Sequence, residues 1–170
     1  DGVHHSMSIE EREQYMIDIN DYQIVKQINK GGFGLIYLVK NNNTDKELVI
    51  KVNLIDLSSS QSVSMQQMVY RELSVLMRAH HPTIIQFIGF SPIDFKGNKN
   101  ENMVIFMDYM KNSSLEFLLS QSQKGLCDSI FNNTIRQIIL AGIARGMMYL
   151  HSQKIIHRDL KPGNVLLDDN

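Results

Sequence analysis

Eight consecutive residues near the C-terminal end, His157 to Asn164, read H-R-D-L-K-P-G-N and place an acid, a cation and an amide on one short loop. Side chains so grouped act together only on a loop that a rigid scaffold holds still. The segment before the loop is helix-forming, and Val165, Leu166 and Leu167 after it read as a buried strand that fixes it. The set suits phosphoryl transfer: Asp159 can accept a proton from an attacking hydroxyl, Lys161 can lie against a transferring phosphate, and Asn164 can offer an oxygen to a magnesium ion.

A chain of 170 residues buries about 70% of its unfolded surface, so one sizeable core and two small lobes are both allowed. Lys and Arg number 17 against 18 Asp and Glu, a net charge of -1. There is no global field to draw in nucleic acid or anionic lipid, and neither partner is expected. The single cysteine, Cys127, has no partner for an internal disulfide and no paired spacing for zinc. It reads as inert, in a reducing, cytoplasmic (intracellular) setting. No apolar run approaches the roughly 20 residues that span a bilayer, and the most apolar segment, Ile138 to Leu150, is interrupted by Arg145. Membrane contact from this chain is not expected. The start at Asp1, with His4 and His5 close behind, suggests a cut or processed N-terminus without a signal-peptide pattern. Neither those histidines nor His80 and His81 have companion ligands at a metal-binding spacing, and the latter pair reads as a turn entering a strand.

In chain order, residues 1–21 form a polar extension with one helical turn and no assignable role. Five short apolar runs follow: Ile24 to Ile28, Leu35 to Val39, Leu48 to Val52, Ile84 to Phe90 and Met103 to Met107. They predict five strands. Turn-rich Asn41 to Asp45 and the segment around Lys96 to Asn100 favour antiparallel pairing. Between the third and fourth runs, Met65, Met68, Val69, Leu73 and Leu76 make a helical stripe, with Glu72 inside it. A carboxylate on such a face needs a partner to offset its desolvation. Lys51, at the end of a buried strand, is the candidate, although either residue taken singly is more often solvated.

Ahead of Lys51, I-N-K-G-G-F-G-L-I-Y from Ile28 to Tyr37 sets Gly31, Gly32 and Gly34 at a bend between two strands. Glycine lets backbone N–H groups approach phosphate oxygens without a side chain in the way. Later, Thr134 to His151 predicts a helix opened by a Thr134/Gln137 capping box and apolar nearly all round, hence buried on every side. Gly142 and Gly146 within it require close packing by another element to compensate their cost of roughly 1 kcal/mol each.

The Gly-rich lid, Lys51, Glu72 and the H-R-D-L-K-P-G-N loop stand in the order found in protein kinases, and from about Tyr22 to Asn170 the chain resembles that family. Lys161 is the serine/threonine form of the loop. H-P-T-I-I-Q-F-I-G-F and G-I-A-R-G-M-M-Y-L-H-S look like the tyrosine-kinase-like group of serine/threonine kinases. The resemblance implies an α+β, protein-kinase-like bilobal fold. It comprises a complete small five-stranded antiparallel N-lobe with one helix (22–107), a hinge (108–114) and the first part of a helical C-lobe (115–170).

It also implies a mechanism on ATP and Mg²⁺. Adenine would lie at the hinge-like M-D-Y-M-K-N-S-S-L segment, against backbone groups around Asp108 to Met110, with Met107 limiting the pocket's depth. Ile28, Ile36, Val49 and Leu166 would line it, and Gly31, Gly32, Phe33 and Gly34 would cover the phosphates. Lys51, held by Glu72, would bind the α- and β-phosphates. Asp159, Lys161 and Asn164 would be catalytic, with Asn164 a magnesium ligand. Asn29 stands where the family's first glycine is usual, and tolerance of left-handed backbone angles would give a modified lid. Val49 replaces a smaller residue. The second metal ligand, the Asp of D-F-G, does not occur, Asp168 and Asp169 reading as a strand-end turn. The expectation is a catalytic-domain fragment, cut before D-F-G and inactive alone, from a kinase phosphorylating protein Ser/Thr hydroxyls. A nucleotide-binding pseudokinase or scaffold is the alternative.

Overall fold

The apolar runs of the first half become one five-stranded antiparallel sheet, with β1 at Tyr22–Gly31, β2 at Gly34–Asn41, β3 at Glu47–Val52, β4 at Phe87–Ile93 and β5 at Lys99–Asp108. Its spatial order is β1-β2-β3-β5-β4. The computed structural model describes residues 9–31, 34–52, 73–93, 95, 99–126 and 131–168. The chain divides into two compact units, the first made of residues 1–79 and 86–109, the second of 80–85 and 110–170.

In the first unit, register and pleat sort the strands' side chains onto two faces. Val39, Leu48, Ile50, Val104 and Phe106 are fully buried on one, together with Ile19. Leu73, Phe87, Phe90 and Ile105 form the core on the other, with Leu76 and Met77 packed against them. Leu73, Leu76 and Met77 belong to helix α2 (residues 73–78), so the predicted apolar stripe does meet the sheet. Its earlier members Met65, Met68 and Val69 lie outside the described residues, as does Cys127. The β2–β3 turn forms where Asn41 to Asp45 predicted it. Asn41 Oδ1 accepts from the amides of Asn43 and Thr44, both at 3.0 Å. Asp45 takes a left-handed φ of 59°, the local geometry that turn residues of this type tolerate.

Several boundaries differ from the sequence reading. The fifth strand starts at Lys99, not Met103, and Lys99 pairs with Ile93, so Lys99 and Asn100 are strand where a turn was expected. The fourth strand starts at Phe87, not Ile84, because the Ile84 N–H turns back to the His81 carbonyl. The N-terminal extension is also no mere tail. After helix α1 (Ile9–Gln14), Met16 bridges in parallel to Phe90, and Ile19 is buried in the core. The polar composition of the segment underreports such docking, since a single buried side chain and a backbone bridge suffice.

In the second unit, α3 (Leu115–Gln123) is capped by Ser114, whose Oγ accepts from the Phe117 amide. Helix α4 (Asn133–Ser152) is capped by Asn132 accepting from the Ile135 amide at 3.1 Å, replacing the predicted Thr134/Gln137 box. Asn caps at least as well as Thr, and it lies two residues earlier. Nor is α4 buried on every side. Gly146 and Leu150 are its buried residues, whereas Ile138, Leu140 and Met148 are 57–72% exposed. Periodicity reports which side chains favour burial, and segment 80–85 covers one face only. There a Cβ on Gly146 would lie 2.8 Å from Thr83 Oγ1, and His81 stacks on Tyr149 with ring centroids 4.9 Å apart. His81 Nδ1 also engages Thr83, so this histidine serves the turn, as expected.

Candidate functional site

The loop from His157 is built by its own hydrogen bonds. Pro162–Asn164 form a 3-10 turn, with Pro at its start supplying a preset φ. The Asn164 side chain then reaches back: Nδ2 donates to the Asp159 carbonyl at 2.7 Å and to Asp159 Oδ2 at 2.9 Å. Both partners are acceptors, so the nitrogen must be the atom facing them, and Oδ1 is left with no hydrogen bond among the described residues. Lys161 Nζ meets the same Asp159 Oδ2 at 2.9 Å. On the other side, the Asp159 N–H donates to His157 Nδ1 at 3.3 Å.

Arg158, between them, holds a left-handed φ of 63°. A non-glycine residue there costs of order 1–3 kcal/mol and persists only where its surroundings impose it. The tethers on Asp159 supply that constraint. Electrostatics follow the same contacts: the Lys161 hydrogen bond first, then that of Asn164, with the Lys161 and His157 charges adding, hold the Asp159 carboxyl below its ordinary value. The group is an ionised acceptor, with Oδ2 engaged and Oδ1 without a hydrogen bond among the described residues.

What fixes the loop is not the buried strand predicted at Val165 to Leu167. Leu166 makes one isolated antiparallel bridge, to Ser114, and is 46% exposed. Around it, the Leu115 amide donates to the Val165 carbonyl at 2.8 Å and the Leu167 amide to Ser113 at 3.0 Å. Asn112 Nδ2 adds a bond to the Asp168 carbonyl at 2.7 Å, so Asp168 does sit where a strand-like pairing ends. The pairing is short because Ser113 turns away with a left-handed φ of 67°. Neither that residue nor Arg158 carries a sequence signal, since glycine, the usual marker of such angles, is absent from both positions. Gly163, by contrast, gives the clue: a Cβ there would lie 3.0 Å from Glu116 Oε2.

In the first unit, Lys51 lies on β3 opposite Ile36 of β2 and Ile105 of β5. Val49 lies two residues earlier, opposite Leu38 and Met107. Cross-strand partners share a face, so Ile36, Val49, Lys51 and Met107 line one side of three adjacent strands. It is the side on which Leu73 of α2 packs. Glu72, Gly32 and Phe33 lie outside the described residues. Gly31 ends β1 opposite Gly34, which is buried at the start of β2.

Ile28 occupies a bulge between the Gln27–Tyr37 and Asn29–Ile36 pairs. Asn29 corrects the sequence reading: it is extended strand, not left-handed. Its Oδ1 accepts from the Lys30 amide at 2.7 Å, so the amide side chain serves the strand backbone beside the bulge. Asp108 closes β5. Its N–H is spent on the Gln86 carbonyl at 3.1 Å, and its carboxylate meets Lys46 Nζ at 3.4 Å. The Met110 backbone N–H, in the second unit, has no hydrogen bond among the described residues.

Comparison with known proteins places the chain in a family. Residues 22–170 match the family described as protein kinase domain. A dual specificity protein kinase, zak2, of Dictyostelium discoideum is 34% identical over 158 residues, covering 93% of this chain and 24% of the relative. The cAMP-dependent protein kinase type 3 of Saccharomyces cerevisiae is 32% identical, covering 89% and 35%. A probable serine/threonine protein kinase, IRE4, of Arabidopsis thaliana is 30% identical, covering 91% and 13%. The chain thus spans about a third of these relatives' length or less.

Proposed function

The chain belongs to the protein kinase domain family, and from that premise we propose that it carries the phosphate-handling part of an ATP-dependent protein serine/threonine kinase. The observation that carries the reading is Asp159, a carboxylate kept ionised by Lys161 and Asn164, with one oxygen that has no hydrogen bond among the described residues. That oxygen is suited to accept the proton of a substrate hydroxyl and to orient its attack. Lys161 is a cation beside it, suited to offset charge on the moving phosphoryl group.

Asn164 Oδ1 is a hard oxygen donor of the kind Mg²⁺ accepts. Mg²⁺ takes one or two protein oxygens and completes its shell with phosphate and water. Mg²⁺ bound there would supply neutralisation of phosphate charge. On the sheet, Lys51 would take the α- and β-phosphates, with Glu72 as its partner and Gly31 to Gly34 covering them. On the first unit, Ile28, Ile36, Val49 and Met107 would offer apolar surface for an adenine, and the Asp108 carbonyl would meet its polar edge, the Asp108 N–H being already used.

Serine/threonine preference is supported by Lys161 in the loop, while one relative is named dual specificity. No helix among the described residues is long and apolar enough to cross a membrane, and the lone cysteine supports an intracellular setting. The test is incubation of a longer protein that carries this chain within a whole kinase domain, with Mg-ATP and a mixture of generic protein substrates, alongside its Asp159→Asn variant. Phosphoserine and phosphothreonine that depend on Asp159 are expected. ATP binding without Asp159-dependent transfer by the parent protein would overturn the enzyme assignment, and phosphotyrosine as the main product would overturn the specificity.

A further inference from the structure

We propose that residues 15–17 are a clip on β4 whose Tyr15 sets the position of α2. The clip is held by backbone bonds on both sides of Met16: the Ile17 amide donates to the Phe90 carbonyl at 2.8 Å, and the Phe90 amide donates to the Tyr15 carbonyl at 2.9 Å. It fits only because residue 89 is glycine. A Cβ there would lie 2.5 Å from the Tyr15 carbonyl oxygen and 2.7 Å from Ile17 Cδ1. The first of these is backbone and cannot give way by a rotamer change.

The two side chains flanking Met16 go to opposite faces of the sheet. Ile17 packs against the core that holds Ile19, Ile50 and Phe106. Tyr15 packs against the other core, with its ring 5.5 Å from that of Phe87. That second core contains Leu73 of α2 and Ile105, the cross-strand neighbour of Lys51. Tyr15 therefore braces, from outside, the cluster through which α2 rests on the lysine-bearing part of the sheet. Leu73 directly follows Glu72 in the chain. A shift of α2 thus bears on the proposed Lys51–Glu72 pair, a consequence that rests on the nucleotide reading above. The clip precedes the family-matched region, which starts at residue 22. It is an addition through which whatever acts on the N-terminal segment is coupled to α2.

The experiment uses the full chain and the variants Tyr15→Ala, Tyr15→Phe and Gly89→Ala, with amide hydrogen exchange over residues 73–78 and binding of ATP and adenosine as readouts. Tyr15→Ala and Gly89→Ala are expected to raise exchange over 73–78 by at least about tenfold, since the aromatic brace is lost. Tyr15→Phe, which keeps the ring, is expected to restore the parent rate. ATP affinity should fall by about tenfold with adenosine affinity unchanged, because only the phosphates would meet Lys51. Parent-like exchange in both Tyr15→Ala and Gly89→Ala overturns the clip. Equal losses for ATP and adenosine overturn its positioning role. A parent chain that binds neither ligand counts against the nucleotide reading, and the exchange measurement then decides the clip on its own.

Discussion

Asn164 holds Asp159 at two points at once, its Nδ2 lying 2.7 Å from the Asp159 carbonyl oxygen and 2.9 Å from Oδ2. One amide therefore sets both the backbone path of the loop and the rotamer of its carboxylate. Replacing Asp159 by Asn leaves the volume and removes the proton acceptor. Phosphoryl transfer should fall by roughly 10²- to 10⁴-fold. Stability should change little, because the ion pair it breaks is solvent-exposed. Rate and denaturation midpoint, measured on the same samples, check this.

The acid side of the pH range reports on the same contacts. Lys161, then Asn164, hold the folded Asp159 pKa below the ordinary 3.8. A group depressed in the fold contributes stability above its unfolded value, and that contribution is lost as pH falls below 3.8 through the folded value. Lys161→Met should move the Asp159 titration up toward 3.8 and shrink that loss. Carbon NMR of the Asp159 carboxyl across the acid range gives the answer directly.

The two glycines of α4 should respond in opposite directions. At Gly146 an added Cβ meets Thr83 Oγ1 at 2.8 Å and the Thr83 carbonyl at 3.4 Å, so Gly146→Ala should destabilise by about 1–3 kcal/mol through overpacking. At Gly142 the nearest atom is Thr83 Cγ2 at 4.0 Å. Gly142→Ala should stabilise by about 0.5–1 kcal/mol through helix propensity. Urea unfolding of both variants tests the contrast.

Phe106 is fully buried between strands, with its ring 5.0 Å from that of Tyr22. Phe106→Ala should cost about 3–5 kcal/mol. Phe117, on α3 and 53% exposed, should tolerate alanine within about 0.5 kcal/mol. Thermal unfolding of the pair separates core from surface.

Much of this was legible in the chain. Short apolar runs placed all five strands, turn residues at Asn41 to Asp45 placed the β2–β3 connection, and the residue types of His157 to Asn164 marked that loop as the candidate site. Each of these depends on neighbours within a few positions, which is why the order of residues suffices. Asn29 shows the limit: its residue type permits a left-handed angle, yet pairing with β2 keeps it extended.

The rest was decided by partners distant in sequence. Whether α4 is covered depends on where His80 to Ile85 runs, and whether residues 15–17 are a tail or a clip depends on a glycine more than 70 positions away. The left-handed Ser113 is likewise set by a hydrogen bond that closes only once Leu167 arrives. Local pattern states what a side chain prefers in water. Only packing states which neighbour meets it, because close-packed contact is a property of pairs brought together by the fold and not of either residue alone.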